Sequence, residues 1–109
     1  MQIKEMFLNA VITGELGRTD DYGVIIELRE FKMFFKDEIK TDYINSFLPA
    51  ATIEAGQSSA SHTKYLFRIK KGLYRVHPDA IEEQIKINVI MPVYHSYEKN
   101  KIIQTQASG

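Results

Sequence analysis

Cysteine is absent from this sequence, which excludes a disulfide framework and any cysteine-ligated zinc site. No apolar run approaches the roughly 18 residues that suggest a membrane span, so no membrane partner is expected. The first stretch, MQIKEMFLNAV, carries Lys4 and Glu5 among its apolar residues and lacks the uninterrupted core of a signal peptide. A cytoplasmic location is the resulting expectation. The three histidines, His62, His77 and His95, stand 15 and 18 positions apart, with no i, i+4 pair to hold a metal from one helix face. A phosphate loop, a dinucleotide fingerprint and a serine in a nucleophile-elbow context are also missing. The expectation is therefore a protein without cofactor or enzymatic activity.

The 109 residues suit one domain with a single modest core. Hydrophobic residues at 44% and charged residues at 26% are ordinary for a globular chain and argue against general disorder. The formal net charge of zero conceals an asymmetry. Residues 1–54 hold ten acids and six bases, a balance of −4; residues 55–78 hold five bases and no acid; residues 79–109 hold four acids and three bases. A local positive patch on a neutral chain has direction, and that points to a polyanion site more sharply than a global excess would; an ordinary solvated hairpin whose lysines guard an edge strand is the other reading.

Ile3, Met6, Phe7, Ala10 and Val11 recur at helical spacing, so residues 2–15 are expected to form a first helix, with Gly17 as its left-handed cap. Thr19, Asp20 and Asp21 suggest a polar loop, and VIIE at 24–27 a short strand. Leu28, Phe31, Met33, Phe34 and Phe35 then suggest one apolar side of a second helix running to about Asp37. After a short DEIK turn, Thr41 suits an N-cap, and Tyr43, Ile44, Phe47 and Leu48 mark a third helix that Pro49 ends or bends. Two short helices joined by a tight turn are a helix-turn-helix arrangement.

A polar loop, EAGQSSASHT at 54–63, leads into TKYLFRIKKGLYRVHPD, which suggests a hairpin with Lys71-Gly72 at its turn. That register sets Arg68 opposite Arg75 and gathers Tyr65, Phe67, Ile69, Tyr74 and Val76 on one face. Two opposed arginines repel by a few tenths of a kcal/mol or more, on the order of cross-strand pair energies. Such a pair is tolerable when an anion sits against it: a phosphate, or an internal carboxylate such as Glu5, Glu15 or Asp37. Pro78 then opens a helix with Asp79, Glu82 and Glu83 near its positive end. INVIMPVYHSY suits either an edge strand or a helix end.

The order of helix, strand, helix, turn, helix and basic hairpin resembles the winged helix-turn-helix domain. YLFRIKKGLYRVHP looks like the wing of small bacterial winged-helix modules, including ones found with restriction-type nucleases; the matching residues are Tyr65, Leu66, Phe67, Arg68, Gly72, Tyr74 and Arg75. The resemblance implies an α/β fold, mainly helical α+β, in which residues 1–78 form a winged core of three helices and a hairpin wing. Residues 79–103 would be a helical or extended segment packing on the core or on a second subunit, and 104–109 a tail. It also implies contact with double-stranded DNA by the third helix and the wing, in a transcription regulator or a DNA-recognition accessory. The residues so placed are Lys40 just before the third helix, Thr41, Asn45 and Ser46 on it, and Arg68, Lys70, Lys71 and Arg75 on the wing; Ser59, Ser61, His62 and Lys64 join them from the SSASHTK loop, whose small residues permit close approach and whose hydroxyls and N–H groups can hold phosphate oxygens. Asn45 alone is a strong base reader on that helix, so contact through the backbone is expected to dominate. A protein-interaction module on the same scaffold, its basic wing docked on an acidic partner, is the alternative. A dense apolar group at Ile87, Val89, Ile90, Met91, Val93, Tyr94 and Tyr97 raises the expectation of a homodimer.

Two catalytic patterns are weak. Glu38-Ile39-Lys40 with Asp20 or Asp21 upstream copies part of a metal-dependent nuclease signature, but it falls in a turn between helices rather than on adjacent strands. His77-Pro78-Asp79 copies the tripeptide of J-domain cochaperones, yet it follows a strand and is better explained as the start of a helix.

Overall fold

The computed structural model describes residues 2–90. Most of the apolar group at the C-terminus, His95 and the expected tail lie outside the described residues. Four helices and a four-stranded antiparallel sheet make up an α+β domain. Among the described residues no helix is long and apolar enough to cross a membrane.

Helix α1 (Ile3–Ile12) buries Phe7, Leu8, Ala10 and Val11, the stripe that its spacing predicts. It stops three residues earlier than expected, and Gly14 rather than Gly17 ends it. Gly14 takes φ +81°, its N–H donates to the Val11 carbonyl, and the Glu15 N–H donates to the Ala10 carbonyl at 2.9 Å. This is a Schellman closure. Gly17 also has a positive φ, +84°, but its task is close approach: a Cβ there would stand 2.9 Å from the carbonyl oxygen of Ile25. Its N–H is held by the Glu30 carboxylate at 2.9 Å. Gly17→Ala is therefore expected to cost about 2–4 kcal/mol, from backbone strain plus displacement of a strand. Gly14→Ala, with open space around it, should cost only about 1–2 kcal/mol. Urea unfolding of the two variants side by side checks the difference.

The expected polar loop at Thr19–Asp21 is a strand and turn instead. Strand β1 (Arg18–Asp20) pairs with β2 (Gly23–Glu27) through a two-residue turn. All three β1 residues are exposed, so no alternation of apolar and polar residues betrays the strand. Helix α2 (Leu28–Phe35) follows β2 without a loop. It buries Phe31 and Phe35, whereas Met33, expected on the same apolar side, is 67% exposed; two residues past Phe31 it has turned roughly 200° away from the core. Helix α3 (Thr41–Ala50) is N-capped by Lys40 rather than Thr41, buries Ile44 and Leu48, and ends one residue beyond Pro49.

Strands β3 (Leu66–Lys70) and β4 (Leu73–Val76) form the expected hairpin about Lys71-Gly72. β4 is an inner strand that also pairs with β2, giving the order β1-β2-β4-β3. The register departs from the expected one. Lys70 does pair with Leu73, but a bulge at Ile69 shifts the remaining pairs, so that Arg68 meets Tyr74, Phe67 meets Arg75 and Leu66 meets Val76. Leu66, Tyr74 and Val76 thus enter the core, Ile69 is left 43% exposed, and the two arginines never face each other. A bulge adds one residue and reverses every face beyond it.

The core joins both helical and sheet elements. Phe31 stacks on Phe47 at 5.4 Å between ring centroids and meets Phe7 edge-on at 5.6 Å and Phe35 at 4.9 Å. Helix α4 (Pro78–Ile90) begins at Pro78, where the missing N–H costs nothing, and the His77 ring nitrogen accepts the Asp79 N–H. It docks on α1 partly through amides: Gln84, 3% exposed, donates to Asn88, and Asn88 donates to Asn9 at 2.8 Å. Of the ambiguous INVI segment, Ile87–Ile90 is helical.

Candidate nucleic-acid interface

The hairpin turn is fastened to the start of α2. Gly72 at φ +77° closes the turn, and its carbonyl accepts the N–H of Leu28, the first α2 residue, at 2.9 Å. Because α2 follows β2 directly, and β2 pairs with β4, the tip of the hairpin is held beside the first turns of α2. Between them lies an open groove of about 650 Å³. Lys70 and Lys71 line one wall, Arg29 and Lys32 the α2 wall, and Arg18 projects from β1. Glu27 is the one carboxylate among these lining residues. It is shared, lying 3.3 Å from Arg18 and 3.9 Å from Arg29. Among the described residues no carboxylate comes within 4.0 Å of Lys32, Lys70 or Lys71. Five cations against one acid, converging from three elements, favour an anion with several charges.

Arg18, Arg29 and Lys32 escape the linear reading because their sequence neighbours are Glu15, Asp20, Glu27 and Glu30. Charge summed along the chain gives that half −4, yet the fold collects its bases on one side of the hairpin. The available signal was the helical spacing of Arg29 and Lys32, which share a face at i, i+3.

The other anticipated residues fall elsewhere. Arg75 is bound by Asp20, an acid not among those considered for that role; Nη1 donates to Oδ1 at 2.5 Å and Nη2 to Oδ2 at 2.9 Å. The exposed ring of Tyr22 lies 5.5 Å from the guanidinium carbon. Asp20 also accepts the Tyr22 N–H. Arg75 first, then that N–H, holds the Asp20 carboxyl down to about 2, and Asp20 in turn raises Arg75. A depressed carboxyl contributes stability above its ordinary value and loses it as pH falls through the folded one. The wild type should therefore lose stability between about pH 4 and pH 2, and Asp20→Asn should flatten that limb. Melting temperatures of both proteins across the window check it.

Lys40 at the N-cap of α3 and Thr41, Asn45 and Ser46 on it are exposed, as are Ser59, Ser61 and His62 in the loop and Arg68 on β3. Lys64 is occupied: its ammonium donates to the Ala50 carbonyl at the end of α3, at 2.7 Å. Ser46 and His62 line a second, smaller groove of about 310 Å³ with Lys4, Tyr43 and Tyr65. Of the anticipated residues, Lys70 and Lys71 line the basic groove and Ser46 and His62 the aromatic one beside α3, while Lys40, Thr41, Asn45, Ser59, Ser61, Lys64, Arg68 and Arg75 line neither.

Among the described residues no cluster of three or more histidines, cysteines or acids would hold a metal ion. Comparison with protein-family models, with curated proteins and with solved structures found no match.

Proposed function

We propose that this chain is a winged helix-turn-helix DNA-binding domain without enzymatic activity, a transcription regulator or the DNA-recognition accessory of a larger system. The basic groove at the hairpin turn carries the reading: five cations from three elements converge there against a single carboxylate. The order α1, β2, α2, α3, β3, β4, with β2 paired to the second strand of the hairpin, supports the winged arrangement, and β1 and α4 are additions to it. Phosphate contacts at the groove would position a duplex, since lysine and arginine supply charge without reading base edges. The exposed side of α3 offers Asp42, Tyr43, Asn45 and Ser46, of which Asn45 is the strong reader of adenine. Base-independent binding therefore dominates. A two-fold homodimer, using the apolar end of α4 and the apolar sequence after it, would set two wings at fixed spacing on DNA.

Gel shifts with random duplex across a salt series test the proposal. Binding that weakens linearly with log salt is the expected result. No shift at low salt would overturn it. The alternative, docking on an acidic protein, draws support from Met33, an exposed apolar side chain among the groove's cations. It predicts a protein complex that duplex DNA does not displace.

A further inference from the structure

The groove beside α3 has a different chemistry from the one at the hairpin turn. Tyr43 and Phe47 stand on its α3 side, with ring centroids 6.1 Å apart, and Tyr65, 2% exposed, lies deep within the same lining. The opposite rim holds Lys4 and His62. The Lys4 ammonium lies 4.8 Å from the centroid of the Tyr65 ring. It donates to the His62 carbonyl at 2.7 Å and lies 3.4 Å from that residue's Nδ1. Among the described residues no carboxylate lines this groove, and none lies within 4.0 Å of Lys4. A cation fixed over an aromatic surface, with one N–H beyond those two contacts and no counter-ion among the described residues, complements a flat ring bearing one negative charge. The volume, about 310 Å³, is at the small end of ligand pockets.

We infer that this groove binds a small aromatic carboxylate, its ring against Tyr43 and Phe47 and its charge on Lys4. Ser46 belongs both to this lining and to the exposed α3 side proposed to meet DNA, so the ligand and duplex compete. That competition rests on the proposed function; the binding of the ligand itself does not.

Benzoate is the probe, titrated into the full chain by calorimetry and by tyrosine fluorescence, with benzylamine and benzyl alcohol as controls. A Kd of about 0.1–1 mM is expected for so small a ligand, with benzylamine at least tenfold weaker. Lys4→Gln should weaken benzoate about tenfold and leave benzyl alcohol unchanged. Ser46→Tyr, at an exposed helix position, should occlude the groove while preserving the melting temperature. Gel shifts at matched ionic strength, with chloride in place of benzoate, then read the competition. Equal binding of benzylamine, or benzoate affinity unmoved in both variants, overturns the inference. Benzoate binding without any duplex binding upholds the groove and removes the proposed function instead. Duplex affinity indifferent to bound benzoate rejects the competition.

Discussion

Replacing Lys32, Lys70 and Lys71 together with alanine is expected to lower random-duplex affinity about a hundredfold at roughly 0.1 M salt, and to flatten the log–log salt slope by up to about 2.7. These three are the groove cations with no carboxylate nearby among the described residues. Each is exposed on a regular element or a tight turn, so removal should move stability by no more than about 0.5 kcal/mol apiece. The control is Lys36→Ala with Lys86→Ala, two exposed cations that lie outside the groove lining and outside the other surfaces considered for DNA. If long-range attraction alone binds DNA, the two variants lose the same affinity per charge removed. If the groove seats phosphates, the first loses far more. An unaltered slope in the groove variant would transfer the site elsewhere on the domain.

Elements with strong periodicity were legible in the sequence, and those without it were not. α1, α2 and α3 announce their buried faces through Phe7, Phe31, Phe35, Ile44 and Leu48 at helical spacing. β1 buries nothing and so leaves no pattern; its existence rests on pairing with β2 across a two-residue turn and on the nonlocal bond from Arg75 to Asp20. The hairpin turn was readable from Lys71-Gly72, but the bulge at Ile69 was not. A bulge answers the packing of Leu66 and Val76 against the helices, and LFRIK alternates well enough in either register. Helix ends shifted for a similar reason: two glycines near the end of α1 both need positive φ, and only the later chain path separates closure at Gly14 from close approach at Gly17.

The site divides along the same line. Lys70 and Lys71 stand out because no acid occurs between residues 55 and 78, a purely linear signal. Arg18, Arg29 and Lys32 become part of the groove only when β2 pairs with β4 and brings the turn to α2. Arg75 runs the other way. It belongs to the basic stretch in sequence, yet the β1–β2 hairpin brings Asp20 to it, and its guanidinium is already occupied. A hairpin arginine engaged in this way offers phosphate less than an exposed lysine does, because a bidentate carboxylate must first be displaced.

Phe31→Ala is expected to be the most damaging single change in the domain, costing about 3–5 kcal/mol. Phe31 is fully buried and touches the rings of Phe7 on α1, Phe35 on α2 and Phe47 on α3. Truncation removes its transfer free energy, opens a cavity that three rigid rings cannot refill, and deletes edge-to-face and stacked pairs worth about 0.5–1.5 kcal/mol each. A domain of this size has roughly 5–15 kcal/mol of stability in total, so a large share of it is at stake. Phe31→Leu keeps most of the volume and should cost clearly less, about 1–2 kcal/mol. Loss of α2 packing would also release Leu28 from Gly72 and with it the position of the hairpin turn. Any duplex binding by Phe31→Ala should then fall even where circular dichroism still shows a folded fraction. Denaturant midpoints, read with duplex affinity on the same samples, test both halves. A midpoint within the error of wild type would mean that the aromatic cluster is not what holds the three helices together.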